Sequence, residues 1–328
     1  MIGCYSSGIF PRPPELVKVT RTYARGGTTE TELQKAFDTA TREVVNAQLS
    51  ANFSYVTDGM LKWQDLLRPF TENLSGLKAG SLARWFNNNT FYRKPIIVGD
   101  LRREGNLIEK VACLEYLPSE VPWKAILPAP FTFAKLSDNR FYKNEAELMF
   151  QYAQVLNEEI KSLAKLGFKY VQLSDPAIVY EPTIASMSKK QLKDAGEALG
   201  IATRTTSVKT CLQTFFGDFS RILPEALDFP VDHLGIDVYE TDVAELKEYS
   251  FSKGVVLGLL DSRNSLVEDK AELMEIAQEV LEPISGLETR DVFICPNCDL
   301  EFLPWQRAEE KMRLVGDVAR SLKEEFYG

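Results

Sequence analysis

Side chains that can bind a metal ion or activate a thiol recur where predicted strands end. They are Cys211, soon after the apolar-alternating segment Ala202–Val208; Asp237 and Glu240, at the end of His233–Glu240; and Cys295 and Cys298, at the end of Asp291–Cys298. Cysteine thiolates beside a carboxylate are typical zinc ligands, and zinc can bind and activate a thiol. These residues therefore predict a zinc-dependent thiol chemistry, provided that the fold gathers the strand ends.

A parallel α/β barrel brings distant segments together in this way, because its chemistry collects at the carboxyl ends of the strands. Eight segments are predicted as strands, the number that closes such a barrel: Ile2–Ile9, Ser54–Thr57, Trp123–Leu127, Phe168–Leu173, Ala202–Val208, His233–Val238, Gly254–Leu260 and Asp291–Ile294. The absence of any G-x-G-x-x-G or Walker sequence also favours a barrel over an open nucleotide-binding sheet. We expect an α/β fold of the (β/α)8 TIM-barrel type, with residues 1–328 forming a single domain.

Two further segments have clear local patterns. Asn144–Leu166 carries apolar residues at steps of three or four and begins with a capping-box sequence, which predicts a helix that ends at Gly167. Residues 73–122 interrupt the strand–helix rhythm with the alternating runs Phe91–Asp100 and Leu107–Leu117 on either side of a turn sequence. We interpret residues 73–122 as a β-hairpin inserted between barrel strands two and three.

Composition narrows the class of protein. The chain of 328 residues has a formal net charge of −9, which argues against nucleic acid or an anionic membrane as a partner. No run of apolar residues is long enough for a membrane span, and we expect a cytoplasmic protein. Five cysteines form too sparse a set for a secreted disulfide framework, so Cys4 and Cys113 are expected to be buried apolar residues.

Six short motifs, in order along nearly the whole chain, resemble the catalytic barrel of cobalamin-independent methionine synthases. They are Gly8-Ile-Phe-Pro-Arg-Pro-Pro-Glu-Leu16, Thr57-Asp-Gly59, Val171-Gln-Leu-Ser-Asp-Pro-Ala177, Thr210-Cys211, Gly258-Leu-Leu-Asp261 and Pro296-Asn-Cys-Asp-Leu300. The length is that of the family's core members, which lack the amino-terminal folate-binding half and are thought to take methyl from a corrinoid protein.

The resemblance implies a zinc held by a His-x-Cys pair, a glutamate and a second cysteine. The cysteines correspond to Cys211 and Cys298, and the acid to Glu240, with Asp237 and Cys295 as alternative ligands. Lys209 stands where the family has its histidine, so zinc binding would need another fourth ligand. The only histidine, His233, begins its predicted strand and is expected to be structural.

Residues that hold the substrate amino acid are also implied by the resemblance. The corresponding positions here are Ser7, Ile9, Asp58, Met60, Ser174, Asp175 and Asn297. Several depart from the family pattern: Ile9 replaces a serine, Met60 replaces a glutamate that binds the substrate amine, and Ser174 replaces an aspartate.

Two functions remain open from the sequence. The first is a methyltransferase that moves a methyl group from a corrinoid or folate-type donor to a zinc-activated thiol, homocysteine or another. The second is a catalytically degenerate barrel that binds the donor or serves as partner of a separate methionine synthase subunit. The expected partners are a small-molecule thiol and either a methyl-carrying corrinoid protein or a sister subunit. A related methylcobalamin:thiol methyltransferase or a decarboxylase barrel is a third interpretation.

Overall fold

A computed structural model describes residues 1–281 and 290–327. The strand bounds along the chain are β1 Ile2–Cys4, β2 Leu74–Arg84, β3 Phe91–Arg103, β4 Trp123–Pro128, β5 Asp138–Asn139, β6 Phe168–Ser174, β7 Lys209–Gln213, β8 His233–Asp237, β9 Gly254–Leu260 and β10 Val292–Pro296. The largest sheet has seven parallel strands in the order β1-β10-β9-β8-β7-β6-β4. The predicted parallel α/β fold is therefore confirmed, with seven strands in this sheet where eight were expected.

The sheet curls so that its two edges approach one connecting segment, residues 54–57. The backbone N–H of Ser54 donates to the carbonyl of Cys4 in β1 at 2.8 Å. On the other side Val56 forms an isolated parallel bridge with Trp123 of β4, and the N–H of Lys124 donates to the carbonyl of Val56. The segment predicted as the second strand therefore lies between the sheet edges, where it makes one bridge rather than a full ladder.

Eleven α-helices are found in the described ranges, and the longer ones flank the sheet. They are α1 Pro14–Ala24, α2 Glu30–Ser50, α3 Arg68–Asn73, α4 Leu107–Val111, α5 Pro130–Leu136, α6 Glu145–Leu166, α7 Glu181–Ile184, α8 Lys189–Thr203, α9 Val243–Leu246, α10 Lys270–Leu281 and α11 Trp305–Tyr327. Helix α6 follows its predicted signals. The side chain of Asn144 accepts from the N–H of Glu147, and Gly167 ends the helix at φ 108°, a conformation that favours glycine.

Residues 73–122 contain an antiparallel pair, β2 and β3, whose turn lies at residues 85–90. The turn predicted at Arg103–Asn106 is instead followed by the short helix α4, so the run Leu107–Leu117 is not a strand. A buried carboxylate explains this outcome. Glu159 of α6 accepts from the backbone N–H groups of Leu107 and Ile108 at 3.1 and 2.8 Å, and it pairs with Arg103 at 2.5 Å. These bonds satisfy two backbone donors at the start of α4 that have no partner within the helix, and they hold the insertion against α6.

The predicted strand Ala202–Val208 is wrong. Helix α8 continues through Thr203, and the strand begins only at Lys209. The side-chain amide of Asn157 donates to the carbonyls of Ala202 and Arg204, which satisfies acceptors at the end of the helix. Because the strand starts later than expected, Cys211 lies in the middle of β7 and not beyond its carboxyl end.

No helix in the described ranges is long and apolar enough to cross a membrane.

Candidate functional site

The concave side of the curled sheet carries a small cluster separate from the main hydrophobic core. Alternate residues of a strand face opposite sides, and here one side packs against the helices while the other fills the interior. We call the interior residues the lower cluster; they are Tyr5, Tyr170, Cys211, Val256, Phe293 and Cys295. The hydroxyls of Tyr5 and Tyr170 are 3.1 Å apart, and the Tyr5 hydroxyl points at the sulfur of Cys211 at 4.0 Å.

Lys124 places an ionisable amine in this interior, where the residue is only 1% exposed. Its Nζ donates to the carbonyl of Ser6 at 2.7 Å and to Oε1 of Gln172 at 2.6 Å. The same nitrogen lies 3.3 Å from the ring centroid of Tyr5, a cation–π geometry. Burial lowers the pKa of Lys124 to about 7, against the opposing influence of the Cys295 and Cys211 sulfurs.

Above the lower cluster, towards the carboxyl ends of the strands, lies a set of polar side chains that we call the polar layer: Ser7, Gln172, Ser174, Gln213, Asp237 and Asn297. Gln172 connects two sides of the layer, since its Nε2 donates to the carbonyl of Ser7 at 2.6 Å and to Oγ of Ser174 at 2.9 Å. The hydroxyl of Ser7 in turn donates to the carbonyl of Cys298 at 2.8 Å. Ser7, Ser174 and Asn297 were predicted as substrate-binding residues, and the structure brings them to the same end of the sheet.

Asp237 is the buried acid of the polar layer. Its carboxylate accepts from Nδ2 of Asn297 at 3.2 Å and from the backbone N–H groups of Phe216 and Tyr239. Burial nevertheless raises the pKa of Asp237 to about 6, with the nearby Arg263 guanidinium opposing the shift. An acid of this kind can hold or release a proton near neutral pH.

Two buried side-chain oxygens, one in this layer and one next to it, have no hydrogen-bond partner among the described residues. One is Oδ2 of Asp175, and the other is Oε1 of Gln213. The backbone N–H of Asp175 donates to the carbonyl of Gln213, so the two residues are adjacent at the exits of β6 and β7. Thr132 donates to Oδ1 of Asp175 at 2.5 Å, yet burial raises the pKa of Asp175 to about 7. Unpaired buried acceptors of this kind favour a ligand that donates hydrogen bonds.

An aromatic cap covers this end of the sheet. Phe86, at the turn between β2 and β3, contacts Tyr180 and Phe216 with ring centroids 5.0 and 5.7 Å apart. Phe216 also contacts Phe302, and it adopts φ 67°, an uncommon value for a residue with a side chain. The insertion therefore contacts the loops that follow β6 and β7, and Phe216 extends the cap to the loop that follows β10.

The zinc site implied by the resemblance is not assembled. In the described ranges no three His, Cys, Asp or Glu side chains are arranged to hold a metal ion. Cys211 pairs in register with His233, the first residue of β8, whereas Asp237 is the last. The residues that leave β7 at the level of the polar layer are Gln213 and Thr214, and the hydroxyl of Thr214 donates to the carbonyl of Gly235.

The other predicted ligands are engaged elsewhere. Glu240 pairs with Arg263 at 2.5 Å. Lys209 begins β7 and pairs with Asp232 at 3.1 Å, at the opposite end of the sheet from the polar layer. Cys298 is buried within the main core, separately from the lower cluster that contains Cys211.

The surroundings of Cys211 also disfavour a zinc ion. Burial raises the pKa of Cys211 to about 11, so a zinc ion would have to displace a strongly held proton from this sulfur. Burial likewise keeps the pKa of Cys295 well above its usual value. The Lys124 amine lies near both sulfurs, and when protonated it would repel a second cation.

Three other predicted substrate residues stabilise loops instead of pointing unpaired groups at a ligand. Asp58 accepts from the backbone N–H groups of Met60 and Cys113 at 3.0 and 2.9 Å. The N–H of Ile9 donates to Asp299 at 2.8 Å, and Met60 is buried with φ 56°.

Three buried polar residues of the interior, Lys124, Gln172 and Gln213, were not predicted from the sequence. Lys124 and Gln172 interrupt apolar runs in β4 and β6, and Gln213 ends β7. A polar residue inside or at the end of a predicted strand is the signal by which they could have been found.

Comparisons with known proteins agree with this architecture. Residues 5–321 match the family model described as cobalamin-independent synthase, catalytic domain. A methionine synthase of Saccharolobus solfataricus is 27% identical over 324 residues, which cover 97% of this chain and 94% of that protein. One of Sulfurisphaera tokodaii is 25% identical over 321 residues, 97% of this chain and 92% of the relative.

Solved structures show the same fold at low identity. A B12-independent methionine synthase from Shewanella sp. W3-18-1, in complex with selenomethionine, matches with a TM-score of 0.82 at 18% identity over 99% of both chains. A putative vitamin-B12-independent methionine synthase from Listeria monocytogenes matches with a TM-score of 0.74 at 16% identity, over 98% of this chain and 99% of that one. The family match spans nearly the whole sequence, and this chain therefore belongs to the cobalamin-independent methionine synthase family, in the part described as its catalytic domain.

Proposed function

We propose that this protein acts in the cytoplasm, in the methyl-transfer step of methionine synthesis, as a barrel that binds the methyl donor or a catalytic partner, while thiol activation by zinc takes place on a separate subunit. The observation that carries this proposal is the dispersal of the expected ligands. Cys211 lies beside Lys124 in the lower cluster, Cys298 lies in the main core, and Glu240 pairs with Arg263.

The polar layer supports a retained binding role. Asp237 and Asn297 are hydrogen-bonded to each other, and the adjacent Asp175 and Gln213 each have an unpaired buried oxygen. Polar groups buried without partners cost stability, so they are usually kept where a ligand completes their hydrogen bonds. A ligand donor brought to either oxygen, such as an ammonium or amide N–H, would complete its hydrogen bonding.

A second candidate is that the chain itself transfers methyl to homocysteine or another thiol. The match to the family's catalytic domain favours it, together with Asp237, a buried acid at the carboxyl end of β8. In that case Asp237 would hold the proton released by the acceptor thiol, because its pKa of about 6 allows proton exchange near neutral pH.

A methyl-transfer assay separates the two candidates. The purified chain, the catalytic methionine synthase of the same organism and an equimolar mixture would each be given homocysteine with methylcobalamin or methyl-tetrahydrofolate, and methionine would be measured. The partner proposal predicts no methionine from this chain alone and a higher rate from the mixture than from the catalytic enzyme alone. Methionine formed by this chain alone would contradict it and favour the second candidate.

Asp237→Asn provides a control within the same assay. This substitution keeps most of the side-chain shape but removes the titrating proton. Under the second candidate the rate with this chain alone should fall by about 100-fold, as for loss of a general base. Under the partner proposal the variant chain alone stays as inactive as the original.

A further inference from the structure

A large open groove lies beside the polar layer. Its walls are α1, the first two turns of α2 and the loops that follow β1, residues 54–57 and β10, and it encloses about 1430 Å³. Ligand sites for small molecules commonly measure about 300–1,000 Å³, so this groove has room for a large organic ligand. Aromatic side chains on its walls include Tyr23, Phe37 and Trp305.

The charge of the groove is opposite to that of the protein. The whole chain has a net charge of −9, yet the charged residues that line the groove are five cations and a single acid. They are Arg12, Lys18, Arg21, Arg25, Lys62 and Glu301. Cations concentrated in a concave surface attract anions more strongly than the same charges on a convex surface.

Most of these cations lack an ion-pair partner. Lys18 pairs with Glu15, but within residues 1–281 and 290–327 no salt bridge is formed by Arg12, Arg21, Arg25 or Lys62. Arg21 and Arg25 are exposed near the end of α1.

Arg12 is held in place at the base of the groove. Its Nε donates to the carbonyl of Leu61 at 2.9 Å and its NH2 group donates to the carbonyl of Trp63 at 3.2 Å. The guanidinium carbon is 5.7 Å from the ring centroid of Phe37. Burial lowers the pKa of Arg12, and the Glu301 carboxyl opposes this shift.

The one acid of the groove does not cancel its positive charge. Burial and the neighbouring Asp299 and Asp65 raise the pKa of Glu301 despite the opposing charge of Arg12. Even with this carboxyl ionised, the five cations leave the lining of the groove positively charged.

From the volume, the clustered cations and the ordered, unpaired Arg12, we infer that the groove binds an organic polyanion, a molecule with two or more phosphate or carboxylate groups on an apolar or aromatic body. The guanidinium of Arg12 binds one anionic group of the ligand at the base of the groove. Arg21, Arg25 and Lys62 bind its remaining anionic groups. This site stands independently of the methyl-transfer proposal, since it uses none of the residues of the polar layer.

Calorimetric titration with two probes tests the site. Inorganic tripolyphosphate and 1,2,3-propanetricarboxylate present phosphate and carboxylate groups separately, so their relative affinities tell which chemistry the groove prefers. We expect saturable binding of at least one probe with one site per chain, weakening as salt is added. The double variant R21Q/R25Q should bind about tenfold more weakly, because two exposed cations are lost without altering any described hydrogen bond or ion pair.

The matched control is K165Q/K169Q, which removes two exposed lysines next to Gly167, at the opposite end of the sheet. It should retain the original affinity. Arg12→Gln should weaken binding further, with circular dichroism used to check its fold, and R21Q/R25Q carries the test if that variant does not fold. The site would be disproved by no saturable binding of either probe, by unchanged affinity in R21Q/R25Q, or by an equal loss in the control.

Discussion

At the scale of single residues, the side chains around Cys211 differ from the zinc ligands that the sequence motifs predicted. Cys211 stands in a motif shared with a zinc-binding family, but its surroundings are aromatic rings and a buried amine. The groups whose pKa lies near neutrality are instead Lys124, Asp175 and Asp237. Burial causes all three shifts, so these residues would respond to a ligand that changes their solvation.

Asp175→Asn should change how the stability of the protein depends on pH, because it removes the carboxyl whose pKa is raised. The carboxyl has a pKa of about 7 in the folded protein, above its ordinary value of 3.8. The folded state therefore binds the proton more tightly than the unfolded state, and stability is lost as pH rises from about 4 to 7. Asparagine does not titrate, so the variant should gain stability relative to the original across this range, by about 4 kcal/mol at most. Urea unfolding at pH 5 and pH 8 measures the difference, and an equal difference at both pH values would contradict the assignment.

At the scale of elements, the insertion is held in place through one carboxylate. Glu159 is 1% exposed and neutralises Arg103 while capping the start of α4. The tip of the same insertion carries Phe86, which packs on Phe216 above the polar layer. Disrupting the Glu159 contacts at the base of the insertion should therefore also loosen the packing of Phe86 on Phe216 in the aromatic cap.

Glu159→Gln should destabilise the protein by about 3 kcal/mol, because it leaves Arg103 as a partly buried charge without its partner. Thermal unfolding measures the loss. Its control is Glu158→Gln on the same helix, which changes an exposed side chain and should shift the melting temperature little. Equal melting temperatures for the two variants would show that the ion pair does not hold the insertion.

The sequence predicted the long helix α6 and the parallel α/β class because those signals are local and periodic. Asn144 and Gly167 mark the helix ends by capping chemistry alone. The start of β7 was predicted too early, in Ala202–Val208, where five consecutive polar residues separate the two apolar ones. The chain there remains helical as far as Thr203. That error moved Cys211 to the wrong level, since a position along a strand depends on register with its neighbours. The packing of Glu159 under α4 likewise depends on contacts between distant segments, which local patterns do not encode.

At the scale of the whole molecule, the fold of the family is retained, while residues 1–281 and 290–327 contain no cluster of His, Cys, Asp or Glu side chains that could hold a metal ion. The strand exits still gather polar residues, and a positively charged groove opens beside them. An acidic protein with one cationic groove is suited to a small anionic ligand or to one side of a complex. These features agree with a binding or partner role in methyl transfer.

Zinc content tests this account most directly. The purified chain would be incubated with a slight excess of zinc at pH 7.5, dialysed, and measured for metal by mass spectrometry alongside C211S and C298S. We expect well below one zinc per chain in all three, because Cys211 is a buried thiol near Lys124 and is separated from Cys298. One zinc per chain, lost in both cysteine variants, would contradict the account.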